Sequence, residues 1–269
     1  MEQHKTIVFE GHTIHYRDEG RNHIPTLVLL HGYLQNLDIW TPYVLPYMRH
    51  MRVITIDLPG HGYSECIGKV HGMDLMARAV KAVLDDAGVD QCVMVGHSMG
   101  GYVALAFADA FPHHLRGLGL LHSHAMADNE EVVRRRMQTC EEVAQNRARH
   151  IVDFITPLFD VSHRIQLAQE IDDLRDQCLE TRAESIIAAQ MGMARRPSRI
   201  HVLQQLEVPT LFIYGKNDPR IPIELGVAQA LAARHAELFI LDNVAHMSHL
   251  EERDYVKPRI LNYVDSCYL

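Results

Sequence analysis

Positive charge is in deficit in this chain: 26 Lys and Arg stand against 34 Asp and Glu, a formal net charge of -8. A nucleic-acid binder needs the opposite surplus, so that class of partner is excluded. Cysteine is scarce, with five residues (Cys66, Cys92, Cys140, Cys178 and Cys267) in an odd, scattered set. Neither a disulfide framework nor a zinc ribbon fits, and the five read as reduced and structural. No apolar run approaches the length that spans a bilayer, and the opening "MEQHKTIVFEGHTIHYRDEG" is too broken by charge for a secretory leader. The expectation is a cytoplasmic protein without a membrane partner. Neither G-x-G-x-x-G nor a Walker A pattern occurs, which removes the common nucleotide-binding modules.

What is present is a globular composition, 47% hydrophobic and 22% charged over 269 residues. It suits one large domain, or one domain with an insertion. Nineteen histidines include the pair His113–His114 and the step His122-x-His124. With no HExxH and no Cys/His set to add ligands, they read as surface or hydrogen-bonded groups, and no metal is expected. His122 and His124, at a strand end, have the alternative of lining a pocket.

An alternating hairpin pattern around Gly11 opens the chain. Short, nearly continuous apolar runs follow at 26–30, 52–58, 91–95, 118–121, 210–214 and 237–241, the signature of strands covered on both faces. Helical spacing separates most of them, so the pattern predicts an α/β fold with a mostly parallel sheet flanked by helices. From 125 to 199 the rhythm stops and only charged, amphipathic helical patterns remain. This predicts a core of residues 1–124 and 200–269 carrying a helical cap, 125–199. The Arg134–Arg136 and Arg195–Arg196 runs read as solvated helix faces, with anion capture at a pocket mouth as the alternative.

The most informative stretch is "VMVGHSMGGYVALAF", in which Gly96-His97-Ser98-Met99-Gly100 fits G-x-S-x-G between a buried strand and an apolar helix. Glycines beside the serine let the helix fold back close to the strand, lifting Ser98 clear at the sheet's carboxyl edge. The helix start then favours developing negative charge through the Met99 N–H. A serine hydroxyl needs a base at neutral pH, and that base needs an orienting carboxylate. "YGKNDPRIP" offers Asp218 after one strand, and "NVAHMSHLEE" offers His246 after the next. The competitors are His249, expected to pack; Asp242, beside the strand end; and Asp57, expected to fix the turn in "DLPGHGYS". Asp218 and His246 are favoured.

Taken together, "LLHGYLQN", "DLPGHGYS", "GHSMGG", "YGKNDPRIP" and "NVAHMSHLEE" resemble the α/β-hydrolase family, in its small capped esterase and haloperoxidase-like branch. The resemblance implies Ser98 as nucleophile, Asp218 as acid and His246 as base. It implies an oxyanion hole from the backbone N–H groups of Tyr33 and Met99, and a structural Glu251. Carboxylic-ester hydrolysis without a cofactor is the implied activity, with a small-molecule ester as partner and a homodimer left open. A serine nucleophile argues against epoxide hydrolysis and dehalogenation. Carbon–carbon bond hydrolysis and peracid formation share the same three residues, and a non-catalytic receptor shares the fold. Met126, Met137, Phe154, Phe159, Met191 and Met193 are the candidates for an apolar roof or for gluing the cap down.

Overall fold

The computed structural model describes residues 4–20 and 25–269. Part of the amino-terminal stretch read for a leader therefore lies outside the described residues. The hairpin is β1 (His4–Phe9) and β2 (His12–Gly20), turning at Glu10 and Gly11, both with positive φ. Then come β3 (Thr26–Leu30), α1 (Thr41–Tyr47), β4 (Arg52–Ile56), α2 (Met73–Asp86), β5 (Cys92–His97), α3 (Met99–Ala110) and β6 (Leu115–Leu121). Four helices follow without a strand: α4 (Glu130–Ile155), α5 (Ala168–Leu179), α6 (Ala183–Ala194) and α7 (Ile200–Gln205). The chain closes with β7 (Thr210–Gly215), α8 (Ile223–Ala232), β8 (Ala236–Leu241), α9 (Ser248–Glu251) and α10 (Arg253–Ser266).

The eight strands form one sheet in the order β1-β2-β4-β3-β5-β6-β7-β8. Only the hairpin and the β2–β4 pairing are antiparallel; β4 through β8 run parallel. In β3, β5 and β7 every residue is buried, as runs with helices on both sides require. The equally apolar β8 departs from that expectation, with Ile240 38% exposed. It is an edge strand, and it has a neighbour on one side only. Parallel connections put the carboxyl ends of β3, β5, β6, β7 and β8 along one rim, where such sheets hold ligands.

The segment between β6 and β7 is held together by ion pairs within itself, and one of its arginines also reaches the core at Tyr102. Arg134 and Arg135 form exposed i,i+4 pairs with Glu130 and Glu131, as solvated faces do. Arg136 and Arg196 do not. Both grip the Asp128 carboxylate, at 2.6 and 2.7 Å, and the Arg196 guanidinium lies 3.9 Å over the Tyr102 ring of α3. Burial alone would raise the Asp128 carboxyl, but hydrogen bonds from Arg196 and Arg136 outweigh it and hold the group below its ordinary value. Asn129 caps α4 by accepting from the Val132 N–H, and the helix breaks at Asn146, which recaps it by accepting from Arg149. That break re-aims the last two turns, which carry His150 and Phe154.

Six histidines are core residues rather than surface ones: His31, His61, His71, His97, His122 and His249 are all at most 1% exposed. Burial, aided by His31 nearby, lowers His61 to about 3, and burial lowers His71 to about 4. The unfolded chain takes up these protons near pH 6.5, so their neutral burial stabilises the fold at pH 7 and progressively less as pH falls toward those values. Each costs about 2 kcal/mol between pH 7 and pH 5. The melting temperature is therefore expected to drop by several degrees over that interval in differential scanning calorimetry; a melting temperature that is flat or rising toward pH 5 contradicts this account.

Candidate active site

Ser98 sits between β5 and α3 with φ 51° and ψ -114°, a conformation ordinary L residues avoid. The turn is held from both sides: the Ser98 N–H donates to Leu121 O at 2.9 Å, and Ser98 O accepts from Gly101 N and from Ser123 Oγ. The glycine requirement is steric. A Cβ on Gly96 would lie 2.3 Å from Gly100 O, and one on Gly100 would lie 2.5 Å from Leu30 O. The helix start is pressed against two strand ends, and no side chain fits between them.

The structure brings Ser98, His246 and Asp218 into one hydrogen-bonded chain. Ser98 Oγ is 2.9 Å from His246 Nε2, and His246 Nδ1 is 2.8 Å from Asp218 Oδ2 and 3.0 Å from Oδ1. A carboxylate only accepts, so Nδ1 carries the ring proton and Nε2 is left to accept from the serine hydroxyl. The Asp218 side chain is fully buried. Burial would raise its pKa; the His246 charge and the hydrogen bonds from His122 and His246 win, and the carboxyl is held far below its ordinary value. Oδ1 also accepts from the Arg220 and Ile221 N–H groups.

The loop bearing His246 is braced by Glu251, whose carboxylate accepts from the N–H groups of Ala245, Met247 and Asp160. Its pKa is raised by burial, against the pull of those three donors. The insertion joins the same brace: the His246 N–H donates to Leu158 O at 2.9 Å, and Asn217 Nδ2 donates to Asp160 at 2.6 Å. Opposite, His31 fixes the loop after β3, accepting the Leu58 N–H at Nε2 and donating from Nδ1 to Gly32 O. The backbone N–H groups of Tyr33 and Met99 enter no hydrogen bond among the described residues. Over Tyr33 lie two residues of α4: Phe154, edge-on at 5.3 Å between ring centroids, and His150, 3.3 Å from the phenol oxygen.

The rival residues have other tasks. His249 is buried with its ring 4.3 Å from that of His97, and its ring nitrogens hydrogen-bond to none of Ser98, His246 and Asp218. Asp242 pairs with Lys216 at the surface. Asp57 accepts from the Leu37 and Tyr63 N–H groups and from His15, pinning its turn. Of the roof candidates, Met126 is 40% exposed and Phe159 is buried in the core. His122 does not line a pocket; it is buried against Asp218, its Nδ1 2.8 Å from Oδ2. Its signal in the sequence was only that an imidazole ends the strand beside the one preceding Asp218. Ligand atoms of His122, Asp218 and His246 lie within 4.8 Å of one another. Hydrogen bonds account for that closeness, since both imidazoles turn an N–H toward the carboxylate.

A family model described as alpha/beta hydrolase fold matches residues 25–164. The chain is 26% identical to the 2-hydroxy-6-oxononadienedioate/2-hydroxy-6-oxononatrienedioate hydrolase of Paraburkholderia phymatum, over 96% of this chain and 93% of that protein. It is 23% identical to the (E)-2-((N-methylformamido)methylene)succinate hydrolase of Acinetobacter baylyi, over 94% and 95%. Among solved structures it superposes on a malate-bound thermophilic esterase from Thermogutta terrifontis with a TM-score of 0.92, at 28% identity over 99% of this chain and 100% of the other. An enol-lactonase from Burkholderia xenovorans gives 0.90 at 22% identity, over 97% and 100%. The eight-stranded, mostly parallel sheet, the strained turn at the end of β5 and the family match agree: this chain is a hydrolase of the alpha/beta hydrolase fold family.

Proposed function

We propose that the protein hydrolyses a small or medium carboxylic ester through an acyl-enzyme on Ser98. The observation that carries this reading is the 2.9 Å approach of Ser98 Oγ to His246 Nε2, with the far side of the imidazole on a buried carboxylate. Ser98 attacks the ester carbonyl as His246 takes its proton, and Asp218 stabilises the imidazolium. The oxyanion is met by the Tyr33 and Met99 N–H groups, each such donor being worth about 3 kcal/mol. His246 returns the proton to the leaving alcohol, and water, activated by the same base, releases the acid. Residues 125–199 act as the cap, with Phe154 and His150 roofing the acyl side. The Thermogutta esterase, similar over nearly the whole chain, supports the ester reading.

A second reading, carbon–carbon bond hydrolysis by the same residues, is favoured by the dienedioate hydrolases among the curated relatives. Both readings meet at Arg220. Its guanidinium stacks 4.4 Å from the Phe154 ring and forms no ion pair among the described residues, so it is free to hold a carboxylate on the substrate.

Two outcomes are expected. Ser98→Ala lowers kcat on p-nitrophenyl butyrate by about a thousandfold or more with an unchanged melting temperature; retained turnover overturns the assignment. Arg220→Leu raises KM for a carboxylate-bearing ester by about tenfold and leaves p-nitrophenyl butyrate unaffected, as loss of one charge-assisted hydrogen bond requires. Equal KM values for wild type and variant remove Arg220 from recognition. Faster turnover of a 2-hydroxy-6-oxo dienoate than of any ester selects the second reading.

A further inference from the structure

The Asp218 carboxylate is shared between two imidazoles, only one of which faces Ser98. His122 Nδ1 lies 2.8 Å from Oδ2, the oxygen that also receives His246 Nδ1 at 2.8 Å. On the other side of the His122 ring, Nε2 accepts the Ser248 N–H over a long 3.4 Å, consistent with the proton residing on Nδ1. His122 is 0% exposed and has φ 48°, an unfavourable backbone angle for histidine that persists only where surroundings enforce it. Its neighbours point to what enforces it. Leu121 O holds the Ser98 N–H, Ser123 Oγ holds Ser98 O, and the His122 N–H donates to Ile213 O of β7. Three consecutive residues at the end of β6 thus touch the serine turn, the strand leading to Asp218 and the carboxylate itself.

We propose that His122 is a positioning residue that holds Asp218 in register with Ser98 and, by donating to the shared oxygen, weakens the pull of the carboxylate on the His246 proton. It touches no reacting atom. The inference rests on the reading of Ser98, His246 and Asp218 as the hydrolytic residues. A neutral N–H on Oδ2 spreads the carboxylate charge over a second donor, so less of that charge bears on the His246 Nδ1–H. Removing that donor strengthens the His246–Asp218 bond, stabilises the imidazolium and moves the acid limb of the reaction to higher pH. The other titratable or charged groups facing this pair are His97, 6.1 Å from the His122 ring, then His249, Tyr214 and Arg220. Burial keeps His97 and His249 well below their ordinary values, with like-charge neighbours adding to the effect, and burial raises Tyr214. None of those three changes charge near neutrality.

The test compares His122→Leu and His122→Ala, which lack the donor, with His122→Asn. Asparagine places an amide N–H near the position of Nδ1 and tolerates positive φ. The pH dependence of kcat/KM on p-nitrophenyl butyrate and the pH dependence of fluorophosphonate labelling of Ser98 are measured for each, with Ser98→Ala alongside. Expected are an acid limb displaced upward by about half a pH unit or more and kcat reduced about tenfold in the Leu and Ala variants, with KM unchanged. His122→Asn is expected near wild type in both respects. A wild-type acid limb in the donor-less variants overturns the proposal, and so does His122→Asn losing as much as His122→Leu, the mark of a packing role alone. Activity surviving in Ser98→Ala overturns instead the reading beneath it, and the two failures are thereby told apart.

Discussion

The Asp218 carboxylate is charged and wholly buried at the carboxyl rim of the sheet, and a charge persists there only where donors converge on it. Four groups do so: two backbone N–H groups from the turn after β7 and two imidazoles, from the end of β6 and from the loop after β8. The donors come from three places in the rim. The parallel order of the sheet delivers them together, because parallel strands end on the same side. Satisfying one anion thereby fixes His246, and His246 in turn faces the serine.

Strain is concentrated on the opposite partner. Ser98 holds a positive φ because α3 begins in contact with the ends of β5 and β3, where Gly96 and Gly100 leave room for backbone alone. Ser98 and His122 are both strained, and both are tied to neighbouring backbone. The insertion completes the rim rather than merely lying over it, since Leu158 O and Asp160 bond the loop of His246 and Glu251. The segment between β6 and β7 is thereby bonded directly to the loop that carries His246.

The features legible in the sequence were those imposed by sterics and by strand order. Glycines around Ser98 announce a close approach, and apolar runs leading into the loops of Asp218 and His246 put those residues on one edge. The hidden features depend on pairs remote in sequence. Asp128 with Arg136 and Arg196 has no local spacing that reveals it, so the arginine runs looked solvated. The exposure of β8 follows from its place at the sheet edge, while its apolar composition resembles that of an inner strand. His122 was visible as a histidine at a strand end, but its direction, inward to Asp218 rather than out to a pocket, is set by an unusual φ that no residue pattern encodes.

The central claim is that these convergent donors make Ser98 a nucleophile. Mass spectrometry of the intact protein after treatment with a fluorophosphonate, followed by peptide mapping, tests it most directly. A single adduct on the peptide containing Ser98, absent when His246 is replaced by alanine, is the predicted result. A protein that stays unmodified, or one labelled elsewhere, would contradict the account.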